Sequence, residues 1–75
     1  MVSMVAIVKT IDNAAVERVK QKLRGITNLI PGLKMHYMGY TYLSVDLYEG
    51  ANVEGLRGIV GEIEGVLAVV KGCDD

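Results

Sequence analysis

The sequence is poor in the residues that staple small proteins together. Its 75 residues include one cysteine, Cys73, and one histidine. A lone cysteine excludes a disulfide within the chain, and without a cluster of cysteine and histidine a structural zinc site is excluded as well. A domain of this length buries only about 60–65% of the surface that its unfolded chain exposes, so its stability margin is thin.

A strong charge of one sign and long apolar runs are also missing. The net charge is −1, so we expect no strong attraction to nucleic acid or to anionic membranes. No apolar run approaches the ~18 residues of a transmembrane helix. The apolar stretch from Met1 to Val8 has no basic residues before it and no small-residue cleavage site after it, so we interpret it as a strand and not as a signal peptide. Together with the lone cysteine, these features predict a cytoplasmic protein.

What the sequence has in excess is apolar side chain. It is 51% hydrophobic, with a mean hydropathy of +0.31. That is more apolar surface than the core of so small a domain is expected to hold. We therefore predict a homo-oligomer, a dimer or higher, that buries the surplus between subunits.

The first half of the chain has the pattern strand, helix, strand. Met4 to Thr10 is apolar on both parities, which is typical of a central strand covered on both faces. Asp12 or Asn13 supplies an N-cap for a helix, and Ile30-Pro31-Gly32 excludes a helix beyond it. A second strand is predicted from Leu33 to Met38. The apolar stripe of the helix consists of Val16, Val19, Leu23 and Ile26.

The second half repeats this pattern. Tyr40 to Tyr48 alternates clearly and predicts a strand. Asn52 is a good N-cap for a second helix, which Glu64-Gly65 ends. Val66 to Val70 is the last strand, and residues 71–75 form a polar tail. The second helix has an apolar stripe of Val53, Leu56, Ile59, Val60 and Ile63.

The two halves echo each other, since each is a βαβ unit that ends in glycine, an aliphatic residue and a strand. Two such units in one chain predict an α+β fold of the split βαβ, or ferredoxin-like, type. Residues 1–75 then form a single domain. Right-handed crossovers place both helices on one face of a four-stranded antiparallel sheet of order 4-1-3-2.

One face of the predicted sheet has no helix to cover it. The alternation of the third strand assigns Thr41, Leu43, Val45 and Leu47 to the helix side. It assigns Tyr40, Tyr42, Ser44, Asp46 and Tyr48 to the uncovered side. The first strand adds either Val5, Ile7 and Lys9 or Met4, Ala6 and Val8 beside them. Tyrosine combines a large apolar ring with a hydroxyl, which suits a binding face for a ligand, a peptide or a second subunit. The alternative is that tyrosine is simply a good strand former in an exposed position.

Three glycines, Gly55, Gly58 and Gly61, lie inside the second predicted helix at steps of three. Each costs about 1 kcal/mol relative to alanine. Their spacing indicates that a backbone or a ligand passes close to Gly55 and Gly58. Relaxed selection on a surface helix is the alternative.

The remaining polar residues indicate no catalytic site. No nucleophile lies next to a base, and no metal triad or pair of inward carboxylates is present, so we predict a protein that is not an enzyme and has no cofactor. His36 is interpreted as a solvated side chain, and Cys73, Asp74 and Asp75 as a free tail. The first helix has an excess of arginine and lysine, interpreted as a solvated face.

The stretch from Gly39 to Val45, with Asn52 to Leu56 and Ile63 to Val66, resembles the effector-binding domain of leucine-responsive regulators. That family, and the similar amino-acid-sensing ACT domains, dimerise through sheets and bind small molecules at subunit contacts. The resemblance implies a stand-alone regulatory module without DNA-binding ability, since no helix-turn-helix is present. In that family the glycine is typically followed by a Tyr-Asp pair, whereas Leu43 follows Tyr42 here, so ligand contacts do not carry over.

A second resemblance is to the small cytoplasmic assembly chaperones of periplasmic nitrate reductase, which bind a twin-arginine signal peptide on their sheet. It rests on Met1 to Val5, Ile30 to Gly32 and Glu64 to Val69. The aliphatic-Tyr-His ending usual in that family is replaced by Val70 to Cys73. The two expectations are therefore a homo-oligomeric, ligand-sensing module and, as the alternative, a peptide-binding chaperone that uses the tyrosine-rich face.

Overall fold

The computed structural model describes residues 2–72, with side chains from Met4 onward. The elements in this range are β1 (Val2–Thr10), α1 (Asn13–Leu23), β2 (Leu29–Tyr37), β3 (Tyr40–Tyr48), α2 (Val53–Val60) and β4 (Val66–Lys71). This is the predicted βαββαβ order. Within residues 2–72, no helix is long and apolar enough to cross a membrane.

The four strands form one antiparallel sheet of order β2-β3-β1-β4, which is the predicted order read from the other edge. The predicted α+β, ferredoxin-like fold is therefore confirmed. β1 and β3 are central, and β2 and β4 are the edges. The two βαβ halves interlock because β1 and β3, one from each half, pair at the centre of the sheet.

Both helices have an N-cap residue whose side chain accepts a hydrogen bond from the first turn. The Asp12 carboxylate accepts a hydrogen bond from the Ala15 N–H at 2.9 Å, which decides between the two predicted caps of α1. The Asn52 side-chain oxygen accepts one from the Gly55 N–H at 2.7 Å. Each bond satisfies a backbone donor that the first helical turn leaves free. The two halves of the chain thus resemble each other in how their helices are capped as well as in the order of their elements.

The core lies between the sheet and the two helices. Thr10 at the end of β1 is buried there, and its hydroxyl bonds the carbonyl oxygen of Thr41 at 2.8 Å. Burial of aliphatic side chains from both layers is the main force holding the layers together. The core residues are Ala6, Val8, Val16, Val19, Leu23, Leu29, Leu43, Val45, Leu47, Leu56, Val60 and Val69.

Four predicted boundaries differ from the structure. β2 begins at Leu29, four residues before the predicted Leu33, because Pro31 lies on an edge strand, where its missing N–H can face away from the sheet. α2 ends at Val60, before Ile63, and α1 ends at Leu23. Lys71, predicted to begin the tail, belongs to β4. The tail residues Cys73, Asp74 and Asp75 lie outside the described residues.

Candidate binding face of the sheet

The open face is the side of the sheet that α1 and α2 leave uncovered. On β3 one row of side chains is buried in the core and the other is at least partly exposed. The buried row is Thr41, Leu43, Val45 and Leu47, and the open row is Tyr40, Tyr42, Ser44, Asp46 and Tyr48. This is the assignment that the alternation of the sequence predicts.

The register of β1 decides which of its two rows joins the open face. Residues directly opposite each other on neighbouring strands share a face. Val5 is opposite Asp46, Ile7 opposite Ser44, and Lys9 opposite Tyr42. Ala6 and Val8 are fully buried in the core. Of the two predicted alternatives, the open face therefore takes the row of Val5, Ile7 and Lys9.

An irregularity in β2 changes which of its side chains reach the open face. Pro31 is opposite Val45, whereas Lys34 is opposite Leu43, so three steps along β2 match two along β3. One extra residue in a strand is a β-bulge, and it moves every later side chain to the other face. Leu29 before the bulge is buried in the core.

The bulge is held by the hydroxyl of Ser44. This oxygen accepts a hydrogen bond from the backbone N–H of Leu33 at 2.8 Å. Gly32 makes room for it, because a Cβ at this position would lie 2.6 Å from the Ser44 Oγ. A contact that short would force the Ser44 side chain to move. The hydrogen bond that holds the bulge therefore requires both the serine at position 44 and the glycine at position 32.

Beyond the bulge, β2 presents an apolar ridge to solvent on the open face. Leu33 is 78% exposed, Met35 59% and Tyr37 61%. Met35 is opposite Tyr42 of the open row. Exposed apolar side chains that adjoin one another are the usual mark of an interaction surface.

A groove of about 420 Å³ runs over this part of the open face. Its lining residues are Ile7, Leu33, Met35, Tyr37, Tyr42 and Ser44. The hydroxyls of the serine and the two tyrosines are the only side-chain polar groups in that lining. The groove is therefore suited to an apolar partner surface or to the apolar part of a small molecule, with hydroxyls available to orient it.

Charge on the open face is confined to its two ends. Among the strand residues whose side chains the structure describes, Lys9 and Asp46 are the charged members of this face. The Lys9 ammonium lies 4.2 Å from the centre of the Tyr40 ring, a cation–π contact. Asp46 lies near the opposite end of β3, across from Val5 and Ile30.

The predicted glycine site is not part of this face. Gly55 and Gly58 are exposed on α2, in the other layer of the domain. A Cβ on Gly58 would meet nothing within 4 Å, and one on Gly55 would meet the Asn52 side chain that caps its own helix. Within the described part of the chain no other backbone approaches these glycines. An approach by another molecule stays a prediction.

Two polar groups that were predicted to be solvated, His36 and Arg18, are exposed and also have local partners. His36 Nδ1 lies 3.1 Å from the Thr41 hydroxyl, beside the edge of the sheet. Arg18 of the basic helix donates to the Glu64 carbonyl oxygen at 2.7 Å. In residues 2–72, no group of three or more His, Cys, Asp and Glu could hold a metal ion.

The outer edge of β4 is partly covered by a helix side chain. Arg57 of α2 donates from Nη2 to the carbonyl oxygen of Val69 at 2.8 Å. A carbonyl group of an edge strand that already has a donor is less available to pair with another chain.

The sequence alone did not single out Leu33, Met35 and Tyr37 as binding residues, and it placed Ile7 on the uncovered face only as one of two alternatives. The predicted site rested on β3, whose alternation is clean. Apolar residues at 33, 35 and 37 also alternate, and this signal could have added the ridge of β2. The bulge could not be foreseen, because Pro31 and Gly32 are equally consistent with a turn.

Comparison with known proteins adds no family to this description. No protein-family model matches the chain, and no curated protein matches it at a significant level. The two resemblances in the sequence therefore remain expectations, and the functional argument rests on the open face.

Proposed function

We propose that this protein is a non-catalytic, homo-oligomeric regulatory module that associates through the open face of its sheet and binds a small ligand at that contact. The observation that carries the proposal is the apolar groove over Ile7, Met35 and Tyr42, flanked by the exposed ridge of β2. In a monomer these side chains would face water. Covering them gains roughly 25 cal/mol for each Å² of apolar surface removed from water.

The size of the face supports a second copy as the partner. The domain measures 31 × 27 × 17 Å, and a two-layer domain is thinnest across its layers. Its broad face is thus comparable with the ~800 Å² that each partner contributes to a standard interface. A shared core of this kind would also supply the stability that a 75-residue chain without disulfide or zinc lacks.

The lining of the groove limits the chemistry of the ligand. Apolar side chains favour an apolar group, and the hydroxyls of Ser44, Tyr37 and Tyr42 offer hydrogen bonds without charge. The Ser44 oxygen already accepts the Leu33 N–H, so its proton remains free to be donated. A small, largely apolar molecule with a hydrogen-bond acceptor fits these groups.

Native mass spectrometry on protein purified without denaturation tests the proposal. The wild type should be a dimer or a higher species, and a bound small mass would identify the ligand. Leu33→Lys places a charge on the open face and should give a monomer. Leu67→Lys is the matched control, because Leu67 is 51% exposed on the other edge strand and lines a separate groove beside Arg57.

A wild type that stays monomeric at tens of micromolar, with no bound mass, would reject this proposal. The peptide-chaperone alternative would then take its place, because Asp46 next to the apolar groove offers one carboxylate to an arginine-rich, apolar signal peptide. NMR titration with such a peptide should then move the signals of the open face, and Tyr42→Ala should weaken binding. An unchanged spectrum would reject the alternative as well.

A further inference from the structure

We infer that two copies pack sheet against sheet about a two-fold axis that runs across the strands, so that Lys9 of each protomer faces Asp46 of the partner subunit. The inference rests on the proposed function, since it assumes association through the open face. It adds the orientation of the two sheets and the residues that fix it. The argument depends on where the charges of this face lie.

The two charges of the face lie on either side of its middle. Lys9 and Val5 are four residues apart on β1, which is about 13 Å at ~3.3 Å per residue, and Val5 is opposite Asp46. Midway between these levels Ile7 is opposite Ser44. One end of the open face is therefore positive, the other is negative, and the middle is uncharged.

Two-fold axes for face-to-face packing lie in the plane between the sheets, and when the two sheets pack with their strands aligned the axis runs either along the strands or across them. An axis along the strands places the positive end of one open face over the positive end of the partner's open face, and the negative end over the negative end. That arrangement brings lysine towards lysine and aspartate towards aspartate. Like charges placed together at an interface are costly.

An axis across the strands exchanges the two ends. When it passes through the level of Ile7 and Ser44, Lys9 lies over the level of Val5 and Asp46 of the partner subunit. Neighbouring strands are ~4.8 Å apart and packed sheets ~10 Å apart, so a lysine side chain can reach that carboxylate. Symmetry makes the contact twice in each dimer. Neither charge has an ion-pair partner within the described part of the chain, so both are available.

The same axis completes the groove. An axis across the strands places β2 over β2 and β3 over β3 of the partner subunit. The apolar ridges and the grooves of the two protomers then face each other between the sheets, with the charged pairs at the ends. A ligand bound there contacts both protomers, and the open groove of one protomer forms only half of the site.

Charge reversal with measurement of the dimer dissociation constant tests the orientation. Lys9→Glu and Asp46→Lys each create two like-charge contacts per dimer and should weaken the dimer about tenfold or more at low salt. The double variant Lys9→Glu/Asp46→Lys restores opposite charges and should return to within about threefold of the wild type. Sedimentation equilibrium measures all three. Glu17→Lys, an exposed reversal on α1, is the control and should leave the constant unchanged.

The other outcomes separate this inference from the proposed function. A dimer that Leu33→Lys disrupts but that neither reversal weakens would overturn the axis and leave the sheet-face contact standing. A double variant that fails to recover would also overturn the axis. So would a dimer that tightens on Asp46→Asn or on addition of salt, because tightening would mean that like charges meet in the interface. A wild type that is monomeric at every concentration would overturn both proposals.

Discussion

At the scale of single residues, glycines in this chain have opposite roles. Gly65 has a φ of +97°, and a Cβ there would lie 2.7 Å from the Cβ of Ala15. Its carbonyl oxygen also accepts the Ile11 N–H at 2.9 Å, where the chain enters β4. Gly58, in contrast, is helical and faces open space. The first position requires glycine, and the second does not.

These environments predict opposite effects of alanine. Gly65→Ala combines a left-handed backbone with a clash and should lower the free energy of unfolding by about 1–3 kcal/mol. Gly58→Ala should raise it by roughly 0.5–1 kcal/mol, because alanine loses less backbone entropy in a helix. Urea unfolding at one fixed protein concentration measures both. If Gly58→Ala instead weakens association between copies of the chain, another molecule packs against α2, as the spacing of the glycines predicted.

Residue-level predictions from the sequence succeeded where local chemistry alone decides the outcome. Asn52 was predicted as a cap and acts as one, since capping depends on a side chain and the next turn of backbone. Asp12 and Asn13 could not be separated, because both types cap helices well. The need for glycine at position 32 depends on Ser44, which is distant in sequence.

At the scale of elements, the bulge of β2 decides the character of the open face. Without it, the odd-numbered residues of β2 would all lie on the face of Leu29, towards the core. With it, Leu33, Met35 and Tyr37 turn outward. The Ser44 hydroxyl and the absence of a Cβ at Gly32 thus favour the bulge that turns the apolar ridge outward.

A double-mutant cycle on the bulge checks this account. Ser44→Ala removes the acceptor of the Leu33 N–H and should cost about 0.5–1.5 kcal/mol of unfolding free energy, a modest loss because water reaches this edge. Gly32→Ala alone should cost more, because its Cβ meets the serine oxygen. The double variant should cost less than the sum, since the clash is gone. Additive losses would show that the two residues do not act together.

The elements predicted best are those with a regular pattern. β3 was predicted with its observed ends, Tyr40 and Tyr48, because strict alternation has one interpretation. β2 was predicted four residues short, because Pro31-Gly32 is also a turn signal and an edge strand tolerates proline. The end of α2 was placed too late, since the apolar stripe continues to Ile63 after the helix has ended at Val60.

At the scale of the whole molecule, the sequence predicted the topology through its internal echo. Two βαβ units in a chain this short can interlock in few ways, and handedness removes most of them. The open face followed from the same reasoning, because two helices cover one side of a four-stranded sheet. The groove did not follow, since its shape depends on the bulge.

Association through the open face should make the thermal stability of the protein depend on its concentration. The midpoint of unfolding should rise by a few degrees for each tenfold increase in protein, because mass action favours the folded dimer. Differential scanning calorimetry over two decades of concentration measures this dependence. Leu33→Lys should melt at a lower temperature that no longer varies with concentration. A constant midpoint in the wild type would argue against a dimer coupled to folding.

The bond from Arg57 to the Val69 carbonyl has a consequence for how the chain behaves when crowded. β4 has the sequence Val-Leu-Ala-Val-Val-Lys, a short, aliphatic, weakly charged segment on an edge, which is the type that stacks into amyloid. The guanidinium, which also pairs with the Glu54 carboxylate, occupies one acceptor of that edge, and Lys71 places a charge at its end. We therefore expect Arg57 to lower the tendency of the β4 edge to pair with other chains and to grow into fibrils.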